Sequence, residues 1–137
     1  MQARRLTNVV FQPYQPRDML GQSLTLPDVH LVSLRAEFEG FVVPSKFYGI
    51  AAAGRPCVFI GDADGEIARL LGEGECGLTV PDGDGAALAA AILELRNDPA
   101  RAQAMGAAAR RMFEARFDMP VALARWDAVL AEAAGAS

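Results

Sequence analysis

Hydrophobic and polar positions alternate along this chain between short apolar runs and longer amphipathic stretches. Residues 8–11 (NVVF) form a β-branched and aromatic run of strand length, stopped by Pro13 and Pro16. Residues 17–26 (RDMLGQSLTL) suit a weak helix, closed by Pro27 and Asp28. Residues 29–34 (VHLVSL) read as a second strand and residues 57–61 (CVFIG) as a third. Between them, residues 44–53 (PSKFYGIAAA) are helical in composition. Proline stands there at a tolerated first position, Gly54 marks the helix end, and Pro56 confirms the stop. Asp64 is placed to cap a helix over residues 65–72, with Ile67, Leu70 and Leu71 at three- and four-residue spacing. Residues 77–80 (GLTV) give a fourth strand, followed by a turn that ends in a cap at Asp84. Helices are predicted over residues 86–97, from the Asp98-Pro99 cap to residue 117, and from Pro120 to Ala134.

Strands that alternate with helices and are apolar along their whole length indicate a parallel sheet covered on both faces. The predicted fold is therefore α/β: a Rossmann-like parallel sheet of about four strands flanked by helices, with extra C-terminal helices. Its 137 residues suit a single domain, and 52% hydrophobic against 22% charged residues describe a folded protein.

Charge and chemistry narrow the function. A net charge of −4 weighs against a nucleic-acid partner, which calls for a basic stripe. One histidine, His30, cannot build a metal site, and within DVHLVSL it reads as a core or edge residue more readily than as a catalyst. Cys57 and Cys76 sit in or beside apolar runs and are expected to be buried free thiols, with a disulfide as the alternative. No signal core follows Arg4 and Arg5, and no window reaches the roughly 18 apolar residues of a membrane span, so a cytoplasmic protein is expected.

The start of the helix at Pro44 draws attention, because Val43 before it is among the poorest N-caps. The amides of Ser45, Lys46 and Phe47 would lack intrahelical partners at the positive end of the helix dipole, with the Lys46 charge beside them. An anionic ligand could complete that end. Alternatively Ser45 folds back and caps a helix starting one residue later. In an open parallel sheet this loop lies beyond the carboxyl end of a strand, where ligands bind.

The stretch EGFVVPSKFYGIAAAGRP, followed by IGDADGEIARLL and GECGLTVPDGD, resembles the donor-binding half of the GT-B glycosyltransferases. The likeness is to the retaining family that builds bacterial polysaccharides from nucleotide-sugars, in its PSK-type branch, and runs from about Asn8 to Phe117. It implies that Glu39 is the first acid of a paired-acid motif, holding a donor-sugar hydroxyl and facing the positive charge that grows at the anomeric carbon. It implies that the backbone of Gly40, Phe41, Val42 and Val43 passes close to sugar and diphosphate, and that Ser45 and Lys46 neutralise phosphate. Tyr14, Gln15 and Pro16 match the loop along the nucleobase. The implied ligand is a nucleotide-sugar used as substrate, with neither a cofactor nor an obligatory metal. Glu66 is read as an acid favourable near a helix start, without function.

Two departures modify what the likeness implies. The family's second acid, which grips the donor ribose, aligns with Gly49, which offers no carboxylate. The acceptor domain and two central strands with a glycine-rich loop have no counterpart here, so residues 1–137 are expected to be one partial donor domain, inactive in transfer alone. A bare edge on the strand of residues 29–34 would then be covered by residues 8–11 or by a second copy of the chain. Val121, Leu123, Trp126, Val129 and Leu130 on the last helix raise the same need. The alternative to a donor-binding domain is a non-catalytic remnant that self-associates or binds a partner. A sugar-nucleotide epimerase fragment is a third reading, and would bring acids and histidines this chain lacks.

Overall fold

A computed structural model describes residues 6–135. Its sheet has three parallel strands in the order β1-β2-β3: β1 His30–Ser33, β2 Cys57–Ile60 and β3 Gly77–Val80. The register sets His30 beside Cys57 and Cys57 beside Gly77. Six α-helices accompany it: α1 Leu20–Thr25, α2 Lys46–Ala52, α3 Glu66–Gly74, α4 Gly85–Asn97, α5 Pro99–Arg116 and α6 Met119–Gly135. A short 3-10 turn, Arg17–Met19, leads into α1.

Side chains along β2 alternate between two cores, as strand geometry requires. Cys57 and Phe59 join Val32, Phe47, Ile50, Ile67 and Leu71 under α2 and α3. Val58 joins Val80, Ala91, Leu95 and Ala102 on the other face, under α4. Helix α5 serves both cores: Ala102 packs in one, Ala109 and Met112 in the other. Gly106 approaches the segment before β2, and Met112 approaches Gly74 ahead of β3, so α5 runs past the amino ends of the strands.

Local signals explain most boundaries. Asp84 caps α4 by accepting from the Ala87 amide at 2.8 Å, and Asp98 caps α5 by accepting from the Arg101 amide at 2.9 Å. Helix α3 departs from expectation. Its N-cap is Gly65, without a side-chain cap bond, because the Asp64 amide is turned back to donate to Asp62 Oδ1 at 2.9 Å. The helix also continues through Gly74 and closes on Glu75 in the left-handed region, at φ 48°.

Residues 8–11 do not form the strand expected there, so the sheet has three strands and not four; the run is irregular and exposed. Four residues followed by two prolines supply few ladder amides, and the run stays off the sheet. The outer edge of β1 therefore carries no strand among the described residues. The amides of His30 and Leu34 donate toward the β2 side, to Pro56 and Ile60, so by parallel geometry the peptide groups of Leu31 and Ser33 face the open edge.

Cys57 and Cys76 are buried free thiols, and desolvation pushes them up to about 12 and about 11 respectively. His30 is structural: its Nε2 donates to the Leu24 carbonyl at 2.8 Å, tying β1 to α1. Among the described residues, no helix is long and apolar enough to cross a membrane.

Candidate functional site

One cavity opens beyond the carboxyl ends of β1 and β2 and a second runs along β1 itself, and residues 42–44 line both. The first, about 340 Å³, is bounded by Glu39 and Gly40 on one side and by Asp62, Asp64, Gly65, Glu66 and Arg69 on the other. The second, about 330 Å³, lies between residues 31–34 of β1 and its exit and the start of α2 at Ser45 and Lys46. One chamber thus carries four carboxylates and a single guanidinium, and the other carries an ammonium.

The backbone that separates them is set by a glycine. A 3-10 turn over Ala36–Phe38 follows β1, and the amides of Phe41 and Val42 both donate to the Phe38 carbonyl. Gly40 sits inside this tight turn at φ 79°, which L side chains rarely adopt. The turn presents Val42, Val43 and Pro44 as the shared wall.

Glu39 is partly buried at the edge of the first cavity. Its Oε1 is buried without a hydrogen-bond partner among the described residues. The carboxylate packs against Gly65, where an added Cβ would lie 2.4 Å from Oε1. Gly65 immediately precedes α3, so the positive end of that helix offsets part of the cost of an unsatisfied acceptor, about 1–3 kcal/mol. Across the same helix end, Tyr48 Oη donates to Glu66 Oε1 at 3.3 Å. Partial burial and the neighbouring Glu66 carboxylate raise the Tyr48 pKa above that of a free phenol.

The start of α2 matches neither sequence expectation in full. Ser45 occupies the N-cap position, but its side chain makes no cap bond, and its backbone is already helical at φ −56° and ψ −22°. The Phe47 amide donates to the Pro44 carbonyl at 3.0 Å and the Tyr48 amide to the Ser45 carbonyl at 3.2 Å. Those short-range bonds occupy two amides, one of them expected to be open. The amides of Ser45 and Lys46 remain without a protein partner among the described residues. With seven residues, α2 has a modest dipole, and the Lys46 side chain is the principal positive charge at this chamber.

Of the residues singled out in the sequence, the structure gathers Glu39, Gly40, Val42, Val43, Ser45 and Lys46 around the two chambers. Phe41 lines neither and is 86% exposed. Tyr14, Gln15 and Pro16 lie in an exposed segment away from both, with Tyr14 at 96% exposure and Gln15 Nε2 donating to the Pro13 carbonyl at 3.0 Å. Gly49 also lines neither: it faces α1, and a Cβ there would meet Leu24 Cδ1 at 3.3 Å. Sequence reasoning missed Asp62, Gly65 and Arg69 and set Glu66 aside. The three-residue spacing of Glu66 and Arg69, which puts both on one helix face, was the available signal.

A parallel sheet with helices on both faces and a cleft at the strand carboxyl ends is half of a GT-B fold. In solved structures this half is similar to sucrose-phosphate synthase from Thermosynechococcus elongatus, with a TM-score of 0.76 and 24% identity. The match covers 93% of this chain and 31% of that one, so the chain spans about a third of that enzyme's length. The chain belongs to the glycosyl transferases group 1 family, whose family model matches residues 1–98. No curated protein matches the sequence.

Proposed function

We propose that this chain is the donor-binding unit of a retaining glycosyltransferase of the PSK-type branch, acting in the assembly of bacterial polysaccharide from a nucleotide-sugar. The observation that carries this reading is the pair of chambers sharing the wall of residues 42–44, one acidic and one bearing Lys46. A nucleotide-sugar has that polarity: a hydroxyl-rich ring joined to a diphosphate. The ring would occupy the acidic chamber, where Glu39 accepts from a hydroxyl and faces the positive charge developing at the anomeric carbon. Lys46, with the free amides of Ser45 and Lys46, would neutralise the departing diphosphate. The backbone of Gly40, Phe41, Val42 and Val43 passes between the two. We assign Tyr14, Gln15 and Pro16 to the nucleobase on the strength of the family likeness. Ribose recognition cannot rely on a carboxylate at position 49, because the residue is glycine and it faces Leu24 of α1. The acceptor is assigned to a separate domain, and transfer requires both.

Calorimetry with UDP, GDP and their common sugars tests the reading. Binding is expected for one nucleotide series, and Lys46→Ala is expected to weaken it about tenfold through loss of one charge-assisted contact. No heat with either series, or an unchanged affinity in the variant, would overturn it.

A second reading rests on the open edge of β1. Leu31 is 52% exposed there, and the unpaired peptide groups of Leu31 and Ser33 offer a template for another strand. On this reading the chain self-associates through that edge, and because residues 31–34 also line the Lys46 chamber, pairing there competes with donor binding. Sedimentation at micromolar concentration is expected to show a dimer, and a lone 14.5 kDa species would dismiss the idea.

A further inference from the structure

The amino-terminal end of the sheet holds a larger cavity than either donor chamber, at about 690 Å³. We propose that it binds a phosphate-bearing ligand with an apolar body, at a site separate from the donor chambers. Four elements build it: the residues leading into β1, those leading into β2, the last turns of α4 and the first turns of α5.

Its floor is apolar. Pro56, Leu95 and Ala102 are buried there, and Val29 and Ile92 extend the surface outward. Its rim is cationic, with Arg55 from the β2 approach and Arg96 from the end of α4. Arg55 is half-buried and held in place by donating to the Thr25 carbonyl, a bond that leaves most of its five N–H donors uncommitted. Neither Arg55 nor Arg96 forms an ion pair among the described residues. Arg101, one turn away, is taken by Glu94. Asp28 is the single carboxylate in the lining, and the Gln103 amide adds a neutral donor.

Two guanidinium groups anchored on different elements suit a dianionic phosphate, which can accept paired N–H bonds from each. The apolar floor beneath suits a hydrocarbon body. A volume of this size lies within the range of pockets that enclose small-molecule ligands, about 300–1,000 Å³. The site stands at the opposite end of the strands from residues 39–46, and so holds or fails independently of the donor reading.

Octyl phosphate, kept below its micelle concentration, is the probe, and calorimetry on the whole chain is the measurement. Wild type is expected to bind octyl phosphate at least tenfold more tightly than inorganic phosphate or octanol, since each carries only half of the recognised chemistry. Arg55→Gln and Arg96→Gln are each expected to weaken octyl phosphate about tenfold. Arg96 is exposed on α4, so its variant keeps the fold even if the Arg55 variant loosens α1. Trp126→Ala, on an exposed apolar face of α6, is expected to leave the affinity unchanged, whereas weaker octyl phosphate binding in Lys46→Ala would seat the ligand in the chamber at α2 and overturn the proposal. The proposal is overturned if octyl phosphate does not bind, if Arg96→Gln binds it as wild type does, or if octanol or inorganic phosphate binds equally well.

Discussion

Replacing Phe59 by alanine is expected to cost about 3–5 kcal/mol, measured as a lower midpoint in urea denaturation with the slope unchanged. The ring is fully buried at the centre of β2, in the core shared with Phe47, Ile67 and Leu71. β2 is the middle strand and makes both of the sheet's pairings, so no rearrangement of an edge can refill the space. Domains of this kind are stable by only about 5–15 kcal/mol in total, so the loss takes a large share. The ring also reaches beneath Gly61, where an added Cβ would meet Phe59 Cζ at 2.6 Å. Gly61 opens the loop to Asp62 and Asp64, and the acidic chamber is therefore expected to lose definition along with stability. A cost below about 1.5 kcal/mol, the range of a volume-conserving swap, would contradict this packing.

Gly106→Ala sets two effects of opposite sign against each other. By helix propensity alone, alanine within the 18 residues of α5 should stabilise by about 1 kcal/mol. The fold opposes this, since an added Cβ would lie 2.3 Å from the Gly54 carbonyl oxygen and 3.3 Å from Pro56 Cδ. A backbone oxygen cannot rotate aside, so α5 must lift from the segment that leads into β2. A net loss of about 2–3 kcal/mol is expected, at the upper part of the usual overpacking range. Gly72→Ala in α3 is the control. Nothing lies within 4 Å of its added Cβ, and a gain of about 0.5–1 kcal/mol is expected. Equal thermal shifts in the two variants would mean that propensity decides and the close approach does not.

The sequence announced those features whose cause is local. Asp84 and Asp98 cap α4 and α5 as their positions foretold, and the apolar strands of residues 29–34, 57–61 and 77–80 all appear. Glu39, Gly40, Val42, Val43, Ser45 and Lys46 lie within one contiguous motif, so one loop brings them together. What was illegible depends on partners distant in the chain. Asp62, Gly65 and Arg69 form the far wall of the acidic chamber only because β2 delivers its loop beside the one that leaves β1. Asp64 looked like a cap, but Asp62, two residues earlier, turns the backbone first. Residues 8–11 had strand composition, but four residues ahead of two prolines supply too few ladder amides, and they stay off the open edge of β1. The closeness of Leu24 to Gly49 likewise needed the docking of α1 on α2, which no spacing encodes.

Val42, Val43 and Pro44 stand as a partition with a cavity on each face. Any sideways shift of that partition enlarges one compartment at the expense of the other. A molecule seated on one side alone touches one face of the partition, whereas one that straddles it contacts both. The two halves of such a molecule would then sense each other through three residues of main chain.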